Sequence, residues 1–226
     1  MEFEKFFAID KKDIKETCVI CQSFDLGLFS QDSNNGFFVK TAQTENATII
    51  ALKNNFLAGD TVLYLKDTKC KRIILFGSCG GCGDVESGDL LIIDKAYNLE
   101  SFSSMLFLEN NVSYKTFSEE LSASFYAKYP YEDLIKTNSA CVSSILLESD
   151  WINFFKANGI CAVDMESSIV LSAAEKIEAQ SLCLMYVADH IEKSPVGSEL
   201  NEQVKSKIST ARKNLAKMIL DFTDAK

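Results

Sequence analysis

Residues 72–93, RIILFGSCGGCGDVESGDLLII, carry an apolar run directly into a glycine-rich tract and out into a second apolar run. RIILF, 72–76, reads as a strand, and LLII, 90–93, reads as the next strand after a Gly-Asp turn. In the tract between them, glycine lets backbone N–H groups come close to an anion or a sugar, because no Cβ intervenes. Gly77 opens the tract and Ser78 adds a hydroxyl. The pattern is neither a Walker A loop, since GK[ST] is missing, nor a GxGxxG fingerprint. A tight turn joining two strands accounts for the same residues without any ligand.

Working outward, TCVICQ (17–22) and ATIIAL (47–52) read as further strands, and Asn35-Gly36 as a turn leading into another. GDTVLYLKDTK (59–69) reads as a helix capped by Asp60. A short helix near SEELSASFYA takes Ser118 as its cap. SACVSSILL, 139–147, reads as extended, and SDWINFFKA as a short helix ending at Asn158-Gly159. MESSIVLSAAEKIEA is a helix, with Ile169, Ala173 and Ile177 recurring at i+4. SLCLMYVADH is apolar without alternation, as suits a strand covered on both faces. A last amphipathic helix runs from about Ser198 to Phe222. Strands first, then helix and strand in turn, predict an α/β protein with a mixed central sheet flanked by helices. No linker rich in Pro, Gly or Ser divides the chain, so residues 1–226 read as one domain.

The composition narrows the function. The 226 residues are 47% hydrophobic, with 32 acids against 23 bases and a formal charge of -9. Nucleic acid and anionic membrane surfaces are disfavoured as partners, because they need concentrated Lys and Arg. No apolar run approaches the ~20 residues of a membrane span, and no signal-like start is visible, so the expected location is cytoplasmic. The eight cysteines mostly sit among Val, Ile, Leu and Ala, where a reduced thiol behaves as a small hydrophobe. Two CxxC pairs, Cys18/Cys21 and Cys79/Cys82, raise a zinc or redox site as an alternative. An extended backbone points Cys18 and Cys21 to opposite faces, which favours packing and no metal.

Two acidic stretches remain. In VDMESS, 163–168, Glu166 stands at the start of a helix, where a carboxylate gains ~0.3–1 kcal/mol from the positive helix end. That suffices for a structural role. Alternatively, an ionised carboxylate can grip the vicinal hydroxyls of a ribose, with Met165 as an apolar floor. Asp189-His190 closes an apolar strand, and His190 is the only histidine. No GxSxG elbow or HExxH motif accompanies it.

Taken together, IILFGSCGGCGDVESGDLLI, GICAVDMESSIVLSAA and CLMYVADHI resemble the nucleoside phosphorylase and nucleosidase superfamily, in its order and spacing of segments. The resemblance implies a three-layer sandwich and a homo-oligomer, dimer or hexamer, with no metal or organic cofactor. It implies a nucleoside as ligand, and carries roles onto matching positions. Asp189 would protonate the departing base, Glu166 and Met165 would hold the ribose, and Ser78 with Gly77 would face phosphate or water. Trp151 and Ile152 would border the base.

The departures from that pattern concern the nucleophile. Relatives clamp phosphate with arginines, but the strand position is Leu75, the early GDPxR segment is absent, and only Lys193 follows the catalytic acid. Nucleosidase relatives carry an early glutamate, whereas here Asp25 is the nearest carboxylate. The expectation is N-glycosidic cleavage of a nucleoside, preferably a purine one, by inorganic phosphate. Cleavage by water is the alternative, and a nucleoside-binding protein without turnover is another.

Overall fold

The computed structural model describes residues 2–22, 26–108, 112–129 and 134–224. Among these, ten strands form one mixed sheet. In chain order they are β1 (Thr17–Cys21), β2 (Asn34–Asn35), β3 (Val39–Gln43), β4 (Ala47–Leu52), β5 (Arg72–Gly81), β6 (Leu90–Leu99), β7 (Tyr114–Thr116), β8 (Ile135–Val142), β9 (Ile160–Asp164) and β10 (Gln180–His190). The helices are α1 (Phe3–Phe7), α2 (Ala58–Leu63), α3 (Phe102–Leu106), α4 (Glu119–Lys128), α5 (Ile152–Ala157), α6 (Ser167–Lys176) and α7 (Glu202–Asp224).

β5 is the hub of the sheet. It pairs in parallel with β1 on one side and β10 on the other, and its end pairs antiparallel with β9. Because β10 also pairs β6, and β6 leads through β8 to β9, this half of the sheet closes on itself. The central strands are buried on both faces. Cys18, Ile20, Ile73 and Leu75 pack with α1, α2 and α6, while Val19, Cys21, Ile74 and Phe76 pack with α4 and α7. Helices therefore cover both faces, as the order of elements predicted, in the three-layer arrangement that the resemblance implied. Leu215 and Ile219 of α7 are fully buried, each contributing about 2 kcal/mol of apolar burial. A third cluster, including Met105, Trp151 and Phe155, fills the corner between α3, α5 and strands β6, β8 and β9.

Several boundaries differ from the sequence reading. The glycine tract is not a loop: β5 continues through Gly81, and β6 extends to Leu99. The turn lies later, where Gly83 and Gly88 take positive φ. Asp60 does not cap α2, which begins at Ala58 with Asp60 inside its first turn. β8 leaves the ladder at Val142, and the next N–H, of Ser143, donates to the Met105 sulfur. α7 starts at Glu202 rather than Ser198, because Gly197 adopts a positive φ in a turn and Asn201 Oδ1 accepts from Val204 N–H. Ser118 caps α4 as expected, accepting from Leu121 N–H. No helix among the described residues is long and apolar enough to cross a membrane.

Candidate active site at the end of β5

β9 delivers its last residue, Asp164, into the turn that starts α6. Asp164 Oδ1 accepts from Glu166 N–H at 2.7 Å and Ser167 N–H at 2.6 Å, which satisfies donors the helix start would otherwise leave open. Glu166, at the N-cap position, makes no capping bond. Its carboxylate is turned away and accepts from Gln22 Nε2.

Glu166 is only 2% exposed, yet among the described residues its Oε1 has no hydrogen-bond partner, and Asp164 Oδ2 shares that condition. Burial, and then the nearby Asp164 charge, push the Glu166 carboxyl up to about 8 against a smaller opposing effect of the Met165 backbone and Gln22. Asp164 is pushed up to about 6, chiefly by burial.

Gln22 follows β1 and extends its ladder, donating its backbone N–H to Phe76 O. Its side chain lies directly over Gly77: a Cβ there would stand 1.8 Å from Gln22 Oε1. Gly77 is thus required by side-chain proximity within a strand rather than by an unusual φ. Gln22 was not singled out by motif; its one sequence signal is being the first polar residue after an apolar strand.

Asp189, on β10, lies along the other edge of β5 from Gln22. A register shift between Val187 and Asp189 breaks the β10–β5 ladder, and a bulge of this kind re-aims a side chain. The Asp189 carboxylate sits over Gly80, 3.1 Å from where a Cβ would stand. Burial raises its pKa, opposed by His190. Glu148, 8% exposed, lies close enough that burial and the Asp189 charge push it up to about 7. Glu148 also carries no sequence motif. Asp164 and Asp189 both act on the buried Cys79 thiol, which burial foremost holds well above its ordinary range.

Ser78 goes elsewhere. Alternation along β5 sends its side chain to the α7 face, opposite Gly77. There it meets Tyr186, whose phenol is raised by burial and lowered by Arg212 and by the Ser78 hydroxyl. The Ser78 hydroxyl and the Glu166 carboxylate therefore do not converge. Trp151 is 3% exposed, donates Nε1–H to Met105 O at 3.1 Å and packs edge-on against Phe154. Met165 and Ile191 pack against its cluster, and Ile152 follows it at the start of α5.

The remaining candidates have structural partners. His190 Nδ1 accepts from Glu192 and Lys193 N–H, so its Nε2–H donates to Gly83 O. Lys193 pairs with Glu86 and Leu75 is fully buried. The four CxxC thiols are dispersed, with Cys18 and Cys79 on the α6 face, Cys21 on the α7 face and Cys82 in the third cluster. Asp25 lies outside the described residues. Two open clefts, of about 720 and 730 Å³, lie away from Glu166 and Asp189, beside Lys207 and Asn214 of α7 and beside Phe37 and Lys53.

No curated protein matches the chain by sequence. Among solved structures, a uridine phosphorylase from Vibrio fischeri is similar with a TM-score of 0.74 at 14% identity, over 95% of this chain and 93% of that one. A 5'-methylthioadenosine/S-adenosylhomocysteine nucleosidase from Streptococcus pneumoniae is similar with a TM-score of 0.70 at 17% identity, over 92% and 98%. Futalosine hydrolase of Helicobacter pylori is similar with a TM-score of 0.68 at 15% identity, over 93% and 98%. The fold is common to all three. The model of the phosphorylase superfamily matches residues 57–224, which include β5, the start of α6 and β10, and the chain belongs to that superfamily.

Proposed function

We propose that the chain cleaves the N-glycosidic bond of a nucleoside with water as the nucleophile. The observation that carries this reading is Glu166, a nearly excluded carboxylate with one oxygen held by Gln22 and the other without a partner among the described residues. Leaving such an acceptor unmade costs about 1–3 kcal/mol or more, and a sugar hydroxyl would satisfy it. Membership of the superfamily makes a nucleoside the natural source of that hydroxyl.

Cleavage builds positive charge on the sugar and negative charge on the departing base. Asp189 serves as the acid in this reading: its raised pKa favours the protonated form that can deliver a proton to the base. Water adds to the anomeric carbon and releases a proton to solvent, from which the ionised Asp189 is reprotonated, so the products are the free sugar and the free base. Glu166 binds a sugar hydroxyl, Met165 supplies apolar contact below the sugar, and Trp151 and Ile152 border the base. The Ser78 hydroxyl faces Tyr186 and Gly77 is covered by the Gln22 carboxamide, so neither is assigned to the nucleophile.

The sequence reading put phosphate first, and here hydrolysis takes precedence over it. The nucleosidase and the futalosine hydrolase act as hydrolases by name, and the buried Leu75 offers phosphate no guanidinium. The similarity to a uridine phosphorylase keeps phosphorolysis as the second reading. Incubation with inosine, adenosine, uridine and methylthioadenosine, with and without phosphate, separates them. Base release unchanged by omitting phosphate is the expected result, and phosphate-dependent release overturns it. Calorimetric nucleoside binding with no base released would instead mark a binding protein.

A further inference from the structure

We propose that Gln22 is a positioning residue for the sugar carboxylate: seated on Gly77, its carboxamide anchors one oxygen of Glu166 and leaves the other to accept a sugar hydroxyl. The inference rests on the nucleoside reading for its ligand, but the anchoring itself is a property of the free protein. Three observations meet here. The Gln22 backbone is fixed by its N–H to Phe76 O, in line with the β1–β5 register that places Cys21 beside Phe76. The side chain occupies the space that any Cβ at residue 77 would fill. Glu166 then receives the amide on Oε2 while Oε1 stays buried and unpartnered.

The arrangement has an electrostatic consequence. Burial and Asp164 disfavour the ionised form of Glu166, whereas the Gln22 amide donates to that form and opposes them. Among the described residues, the buried thiols of Cys141 and Cys183 also sense Glu166, and they supply no positive charge. Gln22 is therefore the side-chain donor that favours a charged acceptor at the start of α6. An amide cannot take a proton from water, so Gln22 acts through Glu166 rather than on the nucleophile.

The Gln22–Gly77 pair provides two independent ways to remove the anchor. Gln22→Met keeps the side-chain length without the donor, and Gly77→Ala displaces the carboxamide by its methyl group. Infrared titration of the ligand-free protein, with the Glu166 carboxyl assigned by its loss in Glu166→Gln, is expected to show Glu166 titrating at higher pH in both variants. Nucleoside affinity at pH 7 should fall about tenfold in each, because the higher titration leaves still less of Glu166 in the ionised form that accepts the sugar hydroxyl. The double variant should lose little more than either single one. An unchanged Glu166 titration in folded Gln22→Met overturns the inference. A shifted titration in a protein whose wild type binds no nucleoside leaves the anchor standing and removes the nucleoside reading instead.

Discussion

The two faces of β5 diverge within a single residue step. On the α6 face, Gly77 receives the Gln22 carboxamide and, through it, Glu166. On the α7 face, Ser78 meets the Tyr186 phenol above a cluster that contains Leu215 and Ile219. The α6 face ends in a buried acceptor without a partner, a condition that costs free energy unless a ligand relieves it. The α7 face pairs a hydroxyl with a phenol against the apolar side of an amphipathic helix. The difference teaches that a missing side chain, at Gly77, can matter more to a site than the hydroxyl beside it.

The largest expected effect concerns Asp189, which sits over Gly80 at the β10 edge of β5. Asp189→Asn should lower turnover by at least ~10²-fold while sparing nucleoside affinity, the usual scale for acid catalysis. Unimpaired base release in a coupled assay would remove Asp189 from that role. Next, Glu166→Gln should weaken nucleoside binding by about tenfold or more in calorimetry at pH 9, where Glu166 is ionised and the change removes a charged acceptor. A wild-type affinity would show that the unpartnered oxygen takes no sugar hydroxyl.

Asp164 and Glu166 sharpen the contrast at the level of stability. Both are buried, but only Asp164 closes the helix start, so Asp164→Ala should cost about 1 kcal/mol in chemical denaturation. The folded chain holds Glu166 up at about 8, Glu148 at about 7 and Asp164 at about 6. Unfolding returns each to its ordinary carboxylate range, so between about pH 4 and pH 8 the folded state carries more protons than the unfolded one. Stability from these groups therefore falls as pH rises through that window and levels off above it. The exposed Glu16 and Glu86, held low by Lys71 and Lys193, act below the window. Thermal midpoints should be lower at pH 8 than at pH 5, and Glu166→Gln should flatten the upper part of that slope. Equal midpoints would contradict the burial of these carboxyls.

The smallest effect belongs to the α7 face. Ser78→Ala should change kcat/KM by less than about threefold, because its hydroxyl faces Tyr186 rather than the sugar carboxylate. A loss comparable to that of Glu166→Gln would erase the distinction between the two faces.

Much of this contrast could be read before any coordinates. The apolar run 73–76 announced a strand and the unbroken run 182–187 one covered on both sides, and both lie in the covered part of the sheet. The Ile169, Ala173 and Ile177 stripe announced α6, and VDMESS announced that an acid would begin it. What could not be read was which acid. Capping is decided by whichever side chain the turn brings within reach of open N–H groups, and Asp164 rather than Glu166 met them. The glycine tract was legible as close approach but not as strand, because glycine weakens strand propensity and only pairing to β1, β9 and β10 restores it.

By itself, the sequence determined the order of elements, the two covered faces of the sheet and the acids available to a site, since each follows from local periodicity and side-chain chemistry. The tertiary structure decided the partners. Gln22 and Glu166 are 144 positions apart, and Asp189 reaches Gly80 only through a bulge in β10. No local pattern encodes such pairs, because contact across the sheet depends on register, and register is set by the packing of all the strands together.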